Sequence, residues 1–295
     1  MTPHPSRPSP PVWAVAAALA SVYLVWGSTY VAIRYGLEGF PPFLMGGLRF
    51  IAAGGAFYLF LRWRGHAAPT RAQWRNAFVM GLFMMLLGNG LVNVAEQTVS
   101  SGLAAVAVAS MPLWAGLFGA LRGQHPGRLE WLGLAVGFLG VVWLNLGSDI
   151  SASAIGLLAL LVAPIAWAWG SIWSRGRNLP GPFMNTAAQM LCGGVAMTVL
   201  GLGVGERISE VPPPSAMLAV AYLVVFGSIV AFSAYVWLLD HVRPALATSY
   251  AYVNPPIAVL LGAWLMHERV GAQAIGAMVV ILVGVLIISR AKARS

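Results

Sequence analysis

Neutral polar and aromatic side chains recur at helical spacing inside apolar stretches of the sequence. Asn89 and Asn93 stand four residues apart, and so do Tyr250 and Asn254. Because residues four apart lie on one face of a helix, each pair forms a polar stripe. Amides, hydroxyls and rings can hold a neutral or zwitterionic metabolite, since oxygens accept from an ammonium group and rings stack on apolar side chains. The alternative for each stripe is a hydrogen bond that joins two helices.

Proline positions point to the same interior. Pro112 and Pro255 each lack an amide hydrogen, so the carbonyl oxygen four residues earlier loses its helical partner. Within hydrocarbon such carbonyls are tolerated where they face protein or a water-filled cavity. We therefore predict a polar cavity between two kinked helices, with neighbouring helices satisfying the carbonyls as the alternative. The residues predicted to bind a small-molecule substrate are Trp26, Ser28, Asn89, Asn93, Ser110, Pro112, Trp114, Trp169, Ser171, Tyr235, Tyr250, Tyr252, Asn254 and Pro255.

Charged groups are sparse, and Arg49 is the one charge deep within a predicted span. It is either a charge partner for a substrate or a structural arginine that snorkels or forms an ion pair. No predicted span carries a deep Asp, Glu, Lys or His, which argues against a site for cationic drugs. The five histidines lie in predicted loops or tails, and the only lysine, Lys292, excludes a phosphate-binding G-x-x-x-x-G-K-[ST] loop. We predict no catalytic residue, no metal and no cofactor.

Composition indicates a lipid environment. Hydrophobic residues make up 59% and charged residues 8% of the 295 residues, a balance that a water-exposed globular surface does not sustain. Windows of roughly 20 residues, enough to cross about 30 Å of hydrocarbon as a helix, cover almost the whole chain. Backbone amides in lipid must be satisfied within a segment, and the alternating pattern of barrel strands is absent. We therefore predict an all-α membrane protein with ten transmembrane helices.

The basic residues are distributed unevenly over the predicted loops. Thirteen of the 17 fall on one face of the membrane and three on the other, while Arg49 lies within a span. By the positive-inside rule, both terminal tails, residues 1–11 and 290–295, are predicted to be cytoplasmic. The net charge of +9 therefore reflects topology. Because the arginines are scattered over loop ends without a contiguous basic groove, the sequence argues against nucleic-acid binding.

The chain carries an internal repeat at an offset of 143 residues. The triplet Trp-Gly-Ser that begins at Trp26 falls on the same triplet at Trp169. Residues 12–146 and 153–289 form the two predicted repeats of five helices each. Because five is an odd number of membrane crossings, the second repeat enters the membrane from the opposite side and is inverted. Inverted repeats that meet around a midplane site are a recurrent architecture of secondary transporters. The paired tryptophans are either gates or interfacial anchors.

These features resemble the drug/metabolite transporter superfamily, in particular its EamA-domain exporters. The resemblance covers nearly the whole chain and rests on the two triplets, on Pro112 and Pro255 in matching helices, and on residues 267–269, His-Glu-Arg, after the ninth helix. The chain is most similar to the YddG-type bacterial exporters of aromatic and other neutral amino acids. It has Gln124 and His125 where the family often has a glutamate, so its halves are not equivalent there. The resemblance implies the EamA fold, export as the direction, and a cavity formed by helices one, three, four, six, eight and nine.

The combined hypothesis is a secondary transporter that exports small neutral metabolites, in particular aromatic and other neutral amino acids, across a bacterial inner membrane by alternating access. Export of drugs or other metabolites, and lipid flipping by the same fold, stay open as alternatives. An intramembrane enzyme is a third, although the acids near the membrane boundary have no partner histidine in a matching frame. The bilayer and a small molecule are the expected partners. A homodimer through glycine surfaces such as Gly133, Gly137 and Gly140 is a further expectation.

Overall fold

A computed structural model describes residues 10–99, 107–144, 146, 153–266 and 271–291, with the backbone alone at 258, 259 and 262–266. These residues form helices and loops and contain no strand, which confirms the all-helical prediction for this part of the chain. A single helical turn, Pro244–Ala247, precedes the ninth long helix. The long helices in chain order are α1 (Val12–Leu37), α2 (Pro42–Trp63), α3 (Arg71–Ala95), α4 (Ala107–Leu121), α5 (Arg128–Leu144), α6 (Ala154–Ser174), α7 (Pro182–Gly203), α8 (Pro214–His241), α9 (Tyr250–Met266) and α10 (Ala272–Arg290).

Among the described residues, seven helices are long and apolar enough to cross a membrane: α1, α2, α3, α6, α7, α8 and α10. The helix α4 is apolar but shorter, and α5 and α9 have 17 residues each. Large apolar side chains such as Trp13, Leu139 and Leu158 are exposed on the outside. An apolar exterior of this extent suits contact with lipid.

Glycines allow two helix pairs to approach with their backbones almost in contact. In the pair α5 and α10, a Cβ on Gly284 would lie 2.5 Å from the backbone nitrogen of Gly137. In the pair α2 and α7, a Cβ on Gly54 would lie 2.8 Å from the backbone nitrogen of Leu191. Small residues permit this packing between helices in lipid. The glycine face of α5 is therefore occupied within the chain, and a homodimer would need another surface.

Two helices contain π-helical segments, Gly81–Gly90 in α3 and Leu223–Val230 in α8. At the repeat offset of 143 residues the two segments overlap, so both halves depart from α-helical geometry at matching positions. Runs of this kind are rare and often occur at functional sites, because the widened turn changes the direction of side chains and carbonyl groups. The segment in α3 contributes to the wall of the cavity described next, and the segment in α8 bonds to two residues of that wall.

Candidate functional site

A cavity lies among α1, α2, α3, α4, α6 and α9. Its volume is about 610 Å³, counted with the space that opens to solvent. Aromatic and aliphatic side chains form most of the wall, two amides face it, and one guanidinium contributes the only charge among the described lining residues. The wall is formed by Trp26, Thr29, Tyr30, Ile33, Arg49, Gly88, Asn89, Val92, Val108, Met111, Ala163, Pro164, Trp167, Tyr250 and Asn254.

One face of α1 supplies a continuous strip of this wall. Trp26, Thr29, Tyr30 and Ile33 follow one another at the spacing i, i+3, i+4 and i+7, which places them on one side of a helix. The indole Nε1 of Trp26 donates a 2.9 Å hydrogen bond to the carbonyl oxygen of Gly227, in the π-helical segment of α8. That bond fixes the plane of the ring at the base of the strip.

An aromatic cluster forms one end of the cavity. The ring of Trp26 lies 4.5 Å from that of Tyr250 and 5.6 Å from that of Trp167, both in edge-to-face geometry. Tyr235 extends the cluster behind these rings, 5.4 Å from Tyr250. Its hydroxyl accepts a 3.2 Å bond from the Trp167 indole and lies 2.8 Å from the hydroxyl of Ser171. These rings, with the polar atoms of Trp26, Trp167 and Tyr235 hydrogen-bonded, make a well-packed layer at this end of the cavity.

Arg49 enters the wall from α2 and is 3% exposed. Its Nε donates a 2.8 Å hydrogen bond to the hydroxyl of Ser228, in the π-helical segment of α8. The guanidinium carbon stands 4.8 Å from the centre of the Phe50 ring. A Cβ on Gly227 would lie 2.8 Å from Nη2, so the absence of a side chain there makes room for the guanidinium. The same stretch of α8 therefore supports both Trp26 and Arg49.

Two asparagine amides face the cavity, and they differ in which of their polar atoms are hydrogen-bonded. Asn89, in the π-helical segment of α3, donates a 3.3 Å bond to the carbonyl oxygen of Met84. Asn254 in α9 is 3% exposed and interacts with Tyr30, yet its Oδ1 has no hydrogen-bond partner. A buried acceptor without a donor is uncommon in proteins. A water molecule or a donor group of a bound solute fits this position.

The structure brings part of the predicted set to this cavity. Trp26, Asn89, Tyr250, Asn254 and Arg49 are in the wall. The other ten predicted residues are not in the wall of the cavity and pack elsewhere within the described part of the chain. They are Ser28, Asn93, Ser110, Pro112, Trp114, Trp169, Ser171, Tyr235, Tyr252 and Pro255.

Several of these ten have a clear structural role. Ser28 bonds to the hydroxyl of Tyr222 at 2.6 Å, and Asn93 donates to the carbonyl oxygen of Pro42 at 3.2 Å. Tyr252, two residues after Tyr250 and so on the other side of α9, donates to the carbonyl oxygen of Leu134 at 3.0 Å. These bonds join helices, which is the alternative that the sequence left open.

Trp169 is the clearest departure from the predicted site. Its side chain is 36% exposed and meets Phe118 edge to face at 5.3 Å, away from the cavity. Trp167, two residues earlier on the opposite face of α6, takes the position in the wall. The repeat offset selected Trp169 because it matches Trp26. Helical spacing within α6 instead selects the tryptophan that lies in this wall, since Ala163, Pro164 and Trp167 share one face.

Two arginines join helix ends beyond the aromatic cluster. Arg122, after α4, donates a 2.7 Å bond to the carbonyl oxygen of Ile172 near the end of α6. Arg175, after α6, donates to the carbonyl oxygens of Leu239, at 2.7 Å, and Val242 at the end of α8. The ends of α4, α6 and α8 are thereby held together. The aromatic rings lie between the cavity and these joined helix ends, called the closed end below, where a separate pocket borders Arg175.

Comparison with known proteins decides the family. The sequence profile described as the EamA-like transporter family matches residues 12–146 and, separately, residues 154–290. The chain belongs to the EamA-like transporter family. A relative from Escherichia coli (strain K12), named the uncharacterized inner membrane transporter YedA, is 44% identical over 276 residues, which cover 93% of this chain and 90% of the relative.

Other similar proteins are more distant. The transporter YdfC of Bacillus subtilis (strain 168) is 27% identical and covers 82% of this chain, with 79% of its own length matched. A solved structure titled "Crystal structure of protein" superposes with a TM-score of 0.78 at 20% identity, covering 94% of this chain and 97% of that chain. That likeness shows the shared fold. As an EamA-like protein with several apolar helices, the chain is a multi-pass inner membrane transporter rather than an enzyme.

Proposed function

We propose that this protein is a secondary transporter of ten transmembrane helices, arranged as two inverted five-helix repeats. In this proposal it exports small neutral metabolites, in particular aromatic and other neutral amino acids, across the bacterial inner membrane by alternating access. The observation that carries the proposal is the cavity itself. Helices of both halves enclose it, four aromatic rings line it, and Asn254 offers an unpartnered acceptor within it.

The pattern of helix contacts supports the inverted repeats. The helix α1 packs against α8 and α9, and its counterpart α6 packs against α3 and α4. The helix α3 packs against α7 and its counterpart α8 against α2, and two further pairs join counterparts directly, α2 with α7 and α5 with α10. Exchanging the two halves maps each of these contacts onto another or onto itself. A two-fold relation of this kind is expected when repeats of opposite orientation meet in the membrane.

Alternating access is supported by the difference between the two sides of the aromatic cluster. One side holds the cavity, and on the other side the rings pack together and the bonds of Arg122 and Arg175 hold neighbouring helix ends. If both termini are cytoplasmic, the cavity faces the outer half of the membrane and the closed end faces the cytoplasm. Opening that end while the outer side closes would complete a transport cycle.

The chemistry of the wall supports a small amphipathic solute. It combines a mostly apolar lining with a few polar groups, which is usual for small-molecule sites. Trp26, Tyr30, Trp167 and Tyr250 offer ring faces and edges for an apolar side chain, and Asn254 offers an acceptor for an ammonium group. An aromatic amino acid combines both groups. The YddG-type exporters that the sequence resembles transport solutes of this class.

Flux in proteoliposomes tests the proposal. Purified protein is reconstituted, and entry of radiolabelled tryptophan, phenylalanine, threonine and a cationic dye is followed with and without a pH gradient. We expect saturable flux of the amino acids and none of the dye, and loss of that flux in Asn254→Ala. Flux of the dye alone would assign the protein to drug export, and absence of flux for every amino acid would contradict the proposed substrate class.

A further inference from the structure

Arg49 is a buried cation for which the described part of the chain supplies no acid. No carboxylate among the described residues lies within 4.0 Å of its guanidinium, and its hydrogen bond to Ser228 is to a neutral hydroxyl. The partly buried Arg243 differs in this respect, because it pairs with Glu130 at 2.6 Å. Because an uncompensated buried charge is costly, a cation in a cavity wall indicates an anionic ligand.

The donors of Arg49 are partly used and partly free. A guanidinium carries five N–H groups, and the one on Nε is committed to Ser228. The bond to Ser228, the approach of Nη2 to Gly227 and the Phe50 ring hold the group in a fixed orientation. Four N–H groups on the two terminal nitrogens remain. Two parallel N–H donors from these nitrogens match the two oxygens of a carboxylate.

We propose that Arg49 is the anchor for the carboxylate of the transported solute, so that this carrier selects carboxylate-bearing compounds over their amides and amines. The inference rests on the proposed function only in taking the cavity as the solute site. Carboxylate is favoured over phosphate because recognition of a phosphate dianion generally uses several basic groups. Among the described lining residues, Arg49 is the one basic side chain.

The position of Arg49 also gives the solute an orientation. The Nη2 of Arg49 lies close to Gly227, whose carbonyl oxygen accepts from Trp26, so a carboxylate at the guanidinium is placed near the Trp26 indole. The apolar part of the solute then extends toward the rings of Trp167 and Tyr250. Recognition of the carboxylate and recognition of the side chain thus fall on different walls of one cavity.

Calorimetric titration of the purified, full-length protein in detergent tests the anchor without requiring transport. The probes are L-phenylalanine, 3-phenylpropionate, which lacks the amine, and L-phenylalaninamide, which lacks the carboxylate. The wild-type protein should bind the two acids at least about tenfold more tightly than the amide, the usual size of a charge-assisted hydrogen bond. Arg49→Gln should lose that tenfold preference. Arg49→Lys keeps the charge but not the paired donors, so its preference for the acids should lie between that of the wild type and that of Arg49→Gln.

Two further variants separate binding from folding. Ser228→Ala leaves Arg49 in place but removes the acceptor that orients it, so affinity for both acids should fall severalfold while affinity for the amide stays constant. Arg207→Gln removes an exposed arginine at the end of α7 and should leave all three affinities unchanged. Each variant is first checked for a monodisperse elution profile.

The outcomes distinguish this inference from the proposed function. Equal binding of acids and amide by wild-type protein, no binding of either acid, or unchanged acid binding in both Arg49→Gln and Ser228→Ala would each overturn the inference. If Arg49-dependent binding is found but no amino acid crosses the proteoliposome membrane, the proposed function fails and the anchor stands. If amino acids are transported and acid binding does not depend on Arg49 or Ser228, the anchor fails and the proposed function stands.

Discussion

The indole of Trp26 donates its N–H to the carbonyl oxygen of Gly227 at 2.9 Å. The acceptor belongs to the π-helical segment of α8, and the donor is the residue of α1 from which the cavity strip begins. The two helices that meet at this bond come from different halves of the chain. The bond therefore links the shape of the cavity to the relative position of the halves.

Trp26→Phe should reduce transport by roughly tenfold while leaving the protein folded. The ring is kept, but the carbonyl oxygen of Gly227 loses its donor, and a buried acceptor left unpaired costs about 1–3 kcal/mol. The measurements are initial flux in proteoliposomes and the thermal unfolding midpoint in detergent. Trp13→Phe, at an exposed position near the start of α1, is the matched control and should behave as the wild type. Equal flux in both variants would argue against a role for this bond.

Trp167 and Trp169 provide a paired test of where the site lies. Trp167→Leu removes a ring from the cavity wall and the hydrogen bond to Tyr235, so flux should fall at least about tenfold. Trp169→Leu changes a side chain that is 36% exposed outside the cavity, and flux should stay within about twofold of the wild type. Proteoliposome assays with the two variants at equal protein content make the comparison. The opposite ranking would restore the site predicted from the repeat.

The sequence predicts helix positions better than it predicts side-chain direction. Apolar stretches bounded by charged loops give α1, α2 and α7 almost to their ends, because crossing lipid imposes both composition and length. The direction of a side chain depends on which neighbours pack around the helix, and the sequence does not state this. The repeat equates Trp26 with Trp169, yet only Trp26 reaches the cavity.

The π-helical segments explain a further part of the difference. Asn89 and Asn93 were placed on one stripe by α-helical spacing, but Asn89 lies within the segment Gly81–Gly90 and Asn93 beyond it. Asn89 faces the cavity, whereas Asn93 bonds to the carbonyl oxygen of Pro42. Sequence periodicity assumes a constant turn, and a local change in the turn moves a side chain from one face to another. By contrast, regular spacing in α1 could have identified Thr29, Tyr30 and Ile33 from Trp26.

Asn254→Leu should separate stability from function. Replacing the amide by an apolar group of similar size removes the unpartnered Oδ1 but also the interaction with Tyr30, so the thermal unfolding midpoint should change little. Transport should be lost, because the cavity no longer offers an acceptor to the solute. Asn93→Leu is the matched control, because it also removes one unpartnered Oδ1 and one hydrogen bond, here to Pro42, and it should leave KM unchanged. A stable Asn254→Leu protein with normal flux would remove this residue from the site.

Gly284→Ala should destabilise the protein far more than the same change at Gly203. The added methyl group at Gly284 would lie 2.5 Å from the backbone nitrogen of Gly137, so α5 and α10 must separate. Overpacking of this kind costs about 1–3 kcal/mol, and backbone contact places it at the upper end. At Gly203 nothing lies within 4 Å of the added methyl group. Thermal unfolding and yield of monodisperse protein provide the comparison, and equal midpoints would contradict the close approach.

Weakening the closed end should shift the protein from the form that is open on the cavity side toward a form that is open at the closed end. Arg175→Gln removes the bonds to the carbonyl oxygens of Leu239 and Val242 and so loosens the end of α6 from that of α8. Single-cysteine reporters in a Cys192→Ser background measure the result through maleimide labelling rates. Ala115→Cys, at a position that is fully buried beside the closed end, should be labelled faster when Arg175 is replaced.

A second reporter decides between a shift of conformation and local loosening. Ile33→Cys lies in the cavity on the other side of the aromatic cluster, 5% exposed in the wild-type structure. If the two sides open alternately, replacement of Arg175 should slow labelling at position 33 as it accelerates labelling at position 115, because a population shift lowers one form as it raises the other. Faster labelling at both positions would show that the arginine maintains packing at the helix ends without coupling the two sides.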